Sequence, residues 1–339
     1  MTRIQAWSAA RAGDPFSLAE LHLDSLAPDD VEVAVEHCGL CSADVSMWQD
    51  RWKITRFPFV AGHEVVGRIV AVGSSVDAKR LGQRVGVGWL NGSCMTCWRC
   101  LAGTQHLCPS KRRTIFAQPG GFASRVRSHW AWAIPLPDAL DSASAGPLFC
   151  AGITVFRPLI DLPVAPTWRV AVVGLGGLGH LAVKFLKAWG NEVIVFTSSD
   201  SKADDARHWG ASSVVSTDAS DREVTEPAGS IDLIVVTASA ALDWPRLFTT
   251  LAPRGRVHVL ATLAQPIPVP SSVLAGADRS ISGSSTGSPF AVKTMLDFCA
   301  RHDLRPQVER MPMSRINEAM ARLDSGEARY RIVLDADFD

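Results

Sequence analysis

The run Arg169-Val170-Ala171-Val172-Val173, followed at once by Gly174-Leu175-Gly176-Gly177-Leu178-Gly179, constrains the fold of this chain more than any other stretch. A continuous apolar run suits a parallel strand covered on both faces. Over residues 180–189, Leu181, Val183, Phe185, Leu186 and Trp189 fall at helical spacing, and Gly190 ends the segment. A glycine pattern alone is a weak signal. Between a buried strand and a helix, it lets backbone N–H groups approach a pyrophosphate at the helix N-terminus. Further buried strands are expected at 192–196, 213–216, 231–237 and 256–261, with helical segments between them. The alternation predicts an α/β fold with an open, doubly wound parallel sheet.

The end of the second strand sets the cofactor preference. A site for NAD places Asp or Glu there to accept from the ribose 2′-hydroxyl. Here the strand ends Val195-Phe196-Thr197-Ser198-Ser199-Asp200-Ser201-Lys202. The hydroxyls of Ser198 and Ser199, with the Lys202 ammonium one turn on, suit a 2′-phosphate, although Asp200 could turn toward a ribose. The stretch favours NADP(H) over NAD(H).

The first 150 residues follow a different rhythm. Val31-Glu32-Val33-Ala34-Val35 alternates with period two, and strands are also expected at 65–73 and 83–87. This half reads as mostly β with functional loops. Past Gly283-Ser284-Ser285-Thr286-Gly287, helices at 288–302 and 314–324 and a strand at 331–334 are expected to return to the first domain.

Lys plus Arg balances Asp plus Glu at 34 each, so no net field draws the chain to nucleic acid or an anionic membrane. There is no run of 18 apolar residues to span a bilayer. The start, Met1-Thr2-Arg3-Ile4-Gln5-Ala6, lacks the apolar core of a signal peptide, and the cytosol is the expected compartment. In that reducing setting the eight cysteines point to metal binding or catalysis rather than disulfides.

Four of them form Cys94-x-x-Cys97-x-x-Cys100-x7-Cys108, a spacing that wraps one tetrahedral zinc and leaves no open position. Such a site is structural, holding a loop with no core of its own. Basic residues are few before Lys111-Arg112-Arg113, which argues against a nucleic-acid-binding zinc ribbon. A second group is less local: Cys41 and Asp44, then His63 and Glu64, then Cys150. Alone, each is more often a core residue than a ligand. Together, Cys41, His63 and Cys150 with Glu64 alongside would leave the fourth zinc position for substrate oxygen or water, as a catalytic site requires. Tyr330, the only tyrosine, has Leu334 four residues on, which excludes a Tyr-x-x-x-Lys reductase.

Gly62-His63-Glu64-Val65-Val66-Gly67, the four-cysteine loop, Gly120-Gly121-Phe122-Ala123, Gly146-Pro147-Leu148-Phe149-Cys150-Ala151-Gly152-Ile153-Thr154 and the glycine fingerprint are specific in combination. The chain resembles, over essentially its whole length, the zinc-dependent medium-chain dehydrogenases, and among them the cinnamyl-alcohol-dehydrogenase-like aldehyde reductases. The resemblance implies a GroES-like β-barrel catalytic domain of residues 1–150 and 285–339 and a Rossmann NADP-binding domain of residues 151–284, with the active site in the cleft between them. It implies two Zn²⁺ per chain: a catalytic one on Cys41, His63 and Cys150, with Glu64 able to swing in, and a structural one on Cys94, Cys97, Cys100 and Cys108. Asp44 would orient His63, fixing the imidazole tautomer. The cofactor residues implied are Gly174, Gly176, Gly177, Leu178, Gly179, Ser198, Ser199, Lys202, Thr154 and Thr237. A homodimer paired through edge strands near Ser280-Ile281-Ser282 is also implied.

One departure stands out. Relatives carry a Cys-His-Ser/Thr-Asp run whose hydroxyl passes on the alcohol proton, whereas here the run is Cys41-Ser42-Ala43-Asp44, and Ser46 replaces a frequent histidine. Proton transfer is then left to Ser42, water or the cofactor ribose. The expected substrate is an apolar or aromatic aldehyde or primary alcohol, with Trp48, Trp52, Trp89 and Leu90 as candidate walls or core residues. Trp130, Trp132, Trp168 and Trp189 read as packing, and Cys38 and Cys299 as buried small hydrophobes. Two alternatives remain at this stage: reduction of an imine or activated alkene on the same fold, and a non-catalytic protein that binds zinc and NADPH.

Overall fold

The computed structural model describes residues 1–116, 118–217 and 228–338, with the side chain of Asp200 outside that description. The chain forms two compact units, Met1–Ile153 with Thr286–Asp339, and Thr154–Ser285. The helix Ala151–Asp161 begins in the first unit.

The Thr154–Ser285 unit is built on a six-stranded sheet in the order Ser213–Ser216, Glu192–Thr197, Arg169–Val173, Ile231–Val236, Leu251–Val259, Ser280–Gly283. Every neighbouring pair is parallel. This is the doubly wound order, whose switch point lies between Arg169–Val173 and Ile231–Val236. Val170, Ala171, Val172 and Val173 are buried, as the apolar run requires. Each Val or Ile side chain fully removed from water stabilises the fold by roughly 1.5–3 kcal/mol. The helix Gly179–Trp189 buries Leu181, Val183, Phe185 and Leu186. It stops at Gly190, whose φ of +107° is left-handed.

The expected strand at 256–261 starts earlier, at Leu251. Leu251 pairs with Ile231 and Arg256 with Leu233, so the ladder slips across Ala252–Gly255, where Arg254 takes φ +61°. Pro253 and Gly255 disguise this bulged start as a loop in the sequence.

The other unit centres on the strand Asp30–Leu40, which is long enough to serve three partners. Glu64–Val72 runs antiparallel along one edge. On the other edge Arg125–His129 pairs with Asp30 to Ala34, and Arg331–Asp335 with His37 to Leu40. The sheet continues through Arg84–Val87 and Ile134–Pro135 on one side and Val308–Pro312 on the other. Register shifts within the Asp30–Leu40 and Glu64–Val72 ladder bend the sheet around a core that includes Val33, Leu40, Val65, Ile69, Phe122 and Leu334. The C-terminal segment therefore completes the first unit's sheet. Cys38 and Cys299 are fully buried, as expected. Trp130 is not: it is 43% exposed, with the Arg80 guanidinium 6.0 Å from its ring, so it caps the surface rather than filling the core. Among the described residues no single helix is long and apolar enough to cross a membrane.

Candidate metal centres and nucleotide site

Three turns of chain bring the buried cluster together. Cys41 ends the strand Asp30–Leu40 and caps the helix Ser42–Trp48. His63 directly precedes the strand Glu64–Val72, after Gly62 at φ +95°, where a Cβ would collide with the Phe122 ring and backbone. Cys150 lies between the 3₁₀ turn Gly146–Phe149 and the helix Ala151–Asp161. One ligand atom each from Cys41, His63, Glu64 and Cys150 lies within 4.8 Å of all the others. Cys41 Sγ is 3.9 Å from Cys150 Sγ, and His63 Nε2 is 3.3 Å from Cys150 Sγ. Thiolates bound to one tetrahedral zinc at about 2.3 Å sit roughly 3.8 Å apart, and a thiolate and an imidazole nitrogen somewhat closer. The spacing fits zinc.

Asp44 organises this corner. Its Oδ1 accepts from the Gly62 backbone N–H at 2.9 Å and faces His63 Nδ1 at 2.9 Å, while Oδ2 accepts from the Cys41 backbone N–H at 3.0 Å. With His63 Nδ1–H given to Asp44, Nε2 is the nitrogen aimed at Cys150 and the one that would bind a metal in exchange for its proton. Burial works to lower the His63 pKa, but the Asp44 charge and hydrogen bond, aided by Cys41, raise it well above 6.5. The hydrogen bond from Cys150 is the main reason the Cys41 thiol lies well below its ordinary value, against burial and with help from Arg331. Cys150 is pushed well above, by giving that hydrogen bond and by burial. The pair thus favours the thiolate form at Cys41, the form that a soft metal binds.

Glu64 is tied to a residue that the sequence reading missed. Arg331, in the strand Arg331–Asp335, donates from Nη2 to Glu64 Oε1, and both side chains are almost wholly buried. Glu64 Oε2 is also buried and has no hydrogen-bond partner among the described residues. An unpartnered carboxylate oxygen inside a ligand cluster is an acceptor suited to a cation. Burial raises the Glu64 pKa, and Arg331 opposes the rise. The available signal was an arginine in the otherwise apolar run Tyr330-Arg331-Ile332-Val333-Leu334.

Ser42 is not brought into the cluster; it is exposed at the start of its helix. Ala43 is half-buried. Of the expected pocket walls, Trp52 and Trp89 line a cavity of about 1000 Å³, and Trp89 meets His63 edge-on with ring centroids 4.9 Å apart. Trp48 and Leu90 belong elsewhere. Trp48 packs on Phe16 and donates from Nε1 to the Asp14 carbonyl at 2.7 Å, and Leu90 is buried.

The four-cysteine cluster hangs between the antiparallel strands Leu90–Gly92 and Arg112–Arg113. Cys94 and Cys100 sulfurs are 3.9 Å apart, Cys97 and Cys108 3.8 Å, and Cys108 and Cys94 3.5 Å. These distances again match the edges of a zinc tetrahedron. Backbone N–H groups of Thr96 and Cys97 lower the Cys94 thiol to about 6, and burial raises Cys100 to about 11. The segment turns its larger apolar side chains outward: Trp98, Leu101 and Leu107 are exposed. It has no core to hold it.

In the Thr154–Ser285 unit a cavity of about 380 Å³ is lined by Gly174, Gly176, Ser198, Ser199, Lys202 and Thr237, among others. Gly174 has φ +94°, and a Cβ there would press on Ala238. Thr237 Oγ1 donates to the carbonyls of Val173 and Gly174 at 3.0 and 2.8 Å, which fixes the turn. Gly177 and Leu178 complete the turn into the helix that Gly179 opens. Thr154 lies in the helix Ala151–Asp161 and is not part of the cavity lining. Arg246 also lines the cavity, with Nε and Nη2 buried and without a hydrogen-bond partner among the described residues, and was not anticipated. The open space beside Gly176 and the cationic lining suit a phosphate-bearing nucleotide.

Comparison with known proteins agrees with this geometry. Residues 27–138 match the family described as alcohol dehydrogenase GroES-like domain, and residues 177–301 the family described as zinc-binding dehydrogenase. The aldehyde reductase AdhA of Synechocystis sp. is 44% identical, covering 98% of each chain. The NADP-dependent alcohol dehydrogenase C 1 of Mycolicibacterium smegmatis is 36% identical, covering 99% of this chain and 98% of its own. Among solved structures, a cinnamyl alcohol dehydrogenase of Sorghum bicolor superposes with a TM-score of 0.92 at 32% identity, covering 98% of both chains. The GroES-like and Rossmann-type fold, the zinc-spaced clusters and these relatives agree: the chain belongs to the zinc-dependent medium-chain dehydrogenase/reductase family, with the cinnamyl-alcohol-dehydrogenase-like aldehyde reductases.

Proposed function

We propose that this protein is an NADP(H)-dependent zinc oxidoreductase that interconverts an aldehyde and its primary alcohol, with an apolar or aromatic substrate body. The observation that carries this reading is the buried Cys41, His63, Glu64 and Cys150 cluster, bordered by Trp89. Residues 1–150 and 285–339 would form the catalytic domain, and residues 151–284 the cofactor domain. One zinc per chain would be catalytic and a second, on Cys94, Cys97, Cys100 and Cys108, structural. When bound, the catalytic zinc supplies a Lewis acid for the substrate oxygen, and NADP(H) supplies or takes the hydride.

The chain's own residues prepare that chemistry. Asp44 holds the His63 ring in one tautomer and one orientation. Arg331 offsets the Glu64 charge in a site closed to water. Trp89 gives an aromatic aldehyde a flat surface beside the ligands. Ser198, Ser199 and Lys202 support NADP(H) over NAD(H) through charge-assisted contacts to a 2′-phosphate. The Ser280–Gly283 strand at the sheet edge supports a homodimer built by pairing edge strands. Eight cysteines free of disulfides are compatible with a reducing, cytosolic setting.

The test is oxidation of NADPH by the zinc-loaded protein with benzaldehyde, followed by absorbance, with NADH run in parallel. Turnover is expected with NADPH and weaker with NADH. No oxidation of either cofactor across a panel of aldehydes would overturn the reading.

A further inference from the structure

Two arginines in the cavity that Trp89 lines have no counter-charge among the described residues. Arg56 and Arg113 both line the cavity of about 1000 Å³, and no Asp or Glu among the described residues lines it with them. Neither guanidinium makes an ion pair or a side-chain hydrogen bond among the described residues. Arg112, one residue away, shows the usual arrangement: its Nη1 and Nη2 donate to the two Asp30 oxygens at 3.0 and 2.6 Å. A protein that pairs one arginine so fully and leaves its neighbour facing a cavity has a cation available for a ligand.

Aromatic rings give the cavity a direction. The Trp89 ring meets His63 at 4.9 Å and Phe116 at 5.6 Å, both edge-on. The Arg113 guanidinium carbon then lies 4.9 Å over the Phe116 ring, which holds it in place. Trp52 adds a further wall, 6.3 Å from Trp89. An apolar body filling this cavity meets Trp89, whose ring touches His63, and the Arg113 guanidinium beside Phe116. A planar fork of N–H donors matches a carboxylate better than any neutral group.

We propose that the preferred substrate is an aldehyde, or the corresponding alcohol, whose aromatic or apolar body carries a carboxylate bound by Arg56 and Arg113. The inference rests on the aldehyde-reductase reading above and narrows its substrate class. A cavity lined only by Trp52, Trp89, Phe116 and aliphatic groups would have given no such preference.

The test compares 4-formylbenzoate with its methyl ester as substrates of the zinc- and NADPH-loaded enzyme, in wild type and in Arg56→Gln/Arg113→Gln. Wild type is expected to favour the acid by at least about tenfold in kcat/KM, mainly through KM. The preference should shrink with added salt, since Arg56 is exposed. In the double variant the acid-to-ester ratio should fall to about one, and reading a ratio within each variant removes any common loss of stability. Equal use of acid and ester by wild type, or a ratio that survives in the double variant, would overturn the proposal. Calorimetric binding of 4-(hydroxymethyl)benzoate separates it from the parent reading. Binding of this acid but not its ester, without turnover of any carbonyl, would keep the carboxylate site and overturn the reductase. Turnover of benzaldehyde and ester with no acid preference would do the reverse.

Discussion

Two clusters in this chain show nearly the same ligand spacing and differ in everything around it. In the Cys94, Cys97, Cys100 and Cys108 cluster, all the donors are thiols from one short loop, and the bulky apolar neighbours face outward. In the other, two thiols, an imidazole and a carboxylate come from three separate parts of the chain. Asp44 braces them and Arg331 neutralises the carboxylate. Four thiolates complete a coordination shell and leave nothing for a substrate, whereas a mixed buried set leaves a position that chemistry can use. The first cluster substitutes for a core; the second is held by one.

That contrast can be broken or sharpened by substitution, beginning where the effect is largest. Cys150→Ser should lower kcat/KM by on the order of 10³ or more, because the Lewis acid is lost or misplaced. Metal analysis should show one zinc lost with the fold retained by circular dichroism. Wild-type turnover in this variant would refute the assignment of the buried cluster. Next comes Arg331→Met, which strands the Glu64 carboxylate in a site closed to water. Denaturant unfolding should reveal a loss of roughly 3–5 kcal/mol, with recovery when Glu64→Gln is added. A loss too small to measure would mean the pair is not desolvated.

Asp44→Asn should cost about 10- to 100-fold in zinc affinity or kcat/KM, since the amide no longer holds His63 as a carboxylate does. An equal loss of Tm and activity, without change in metal affinity, would point to a packing role alone. The smallest effect on catalysis is expected from Cys108→Ser. It should release the other zinc and lower Tm, while kcat/KM per remaining zinc stays unchanged. If Cys108→Ser abolished turnover in still-folded protein, the division of labour between the clusters would be wrong.

The difference between the clusters also explains how legible each was. The four-cysteine spacing is local, with Cys94 and Cys108 only 14 residues apart, so a short stretch of sequence carries the geometry. Cys41 and Cys150 are 109 residues apart, and His63 and Cys150 are 87 apart. No periodicity encodes such a meeting; the donor chemistry of the residues and a resemblance across several motifs suggested it. Arg331 lies 267 residues from Glu64 and escaped both routes. Ser42, read as a proton carrier from its place beside Cys41, faces outward because it opens the helix that Cys41 caps. The strand beginning at Leu251 was read five residues short because a bulge containing Pro253 and Gly255 interrupts its pattern.

By itself, the sequence determined the features that arise from neighbours along the chain. These are the buried parallel strand, the glycine turn and helix of the nucleotide unit, the four-thiol loop and the hydroxyl-rich end of the strand Glu192–Thr197. Backbone sterics, side-chain period and short-range ligand spacing act over a few residues, so they can be read without a fold. Only the tertiary structure decided which distant groups share a buried volume. It paired Arg331 with Glu64, set Trp89 against His63, and left Arg56 and Arg113 in a cavity that no acid among the described residues lines. Those outcomes depend on charge and desolvation between residues brought together by folding, and no local pattern records them.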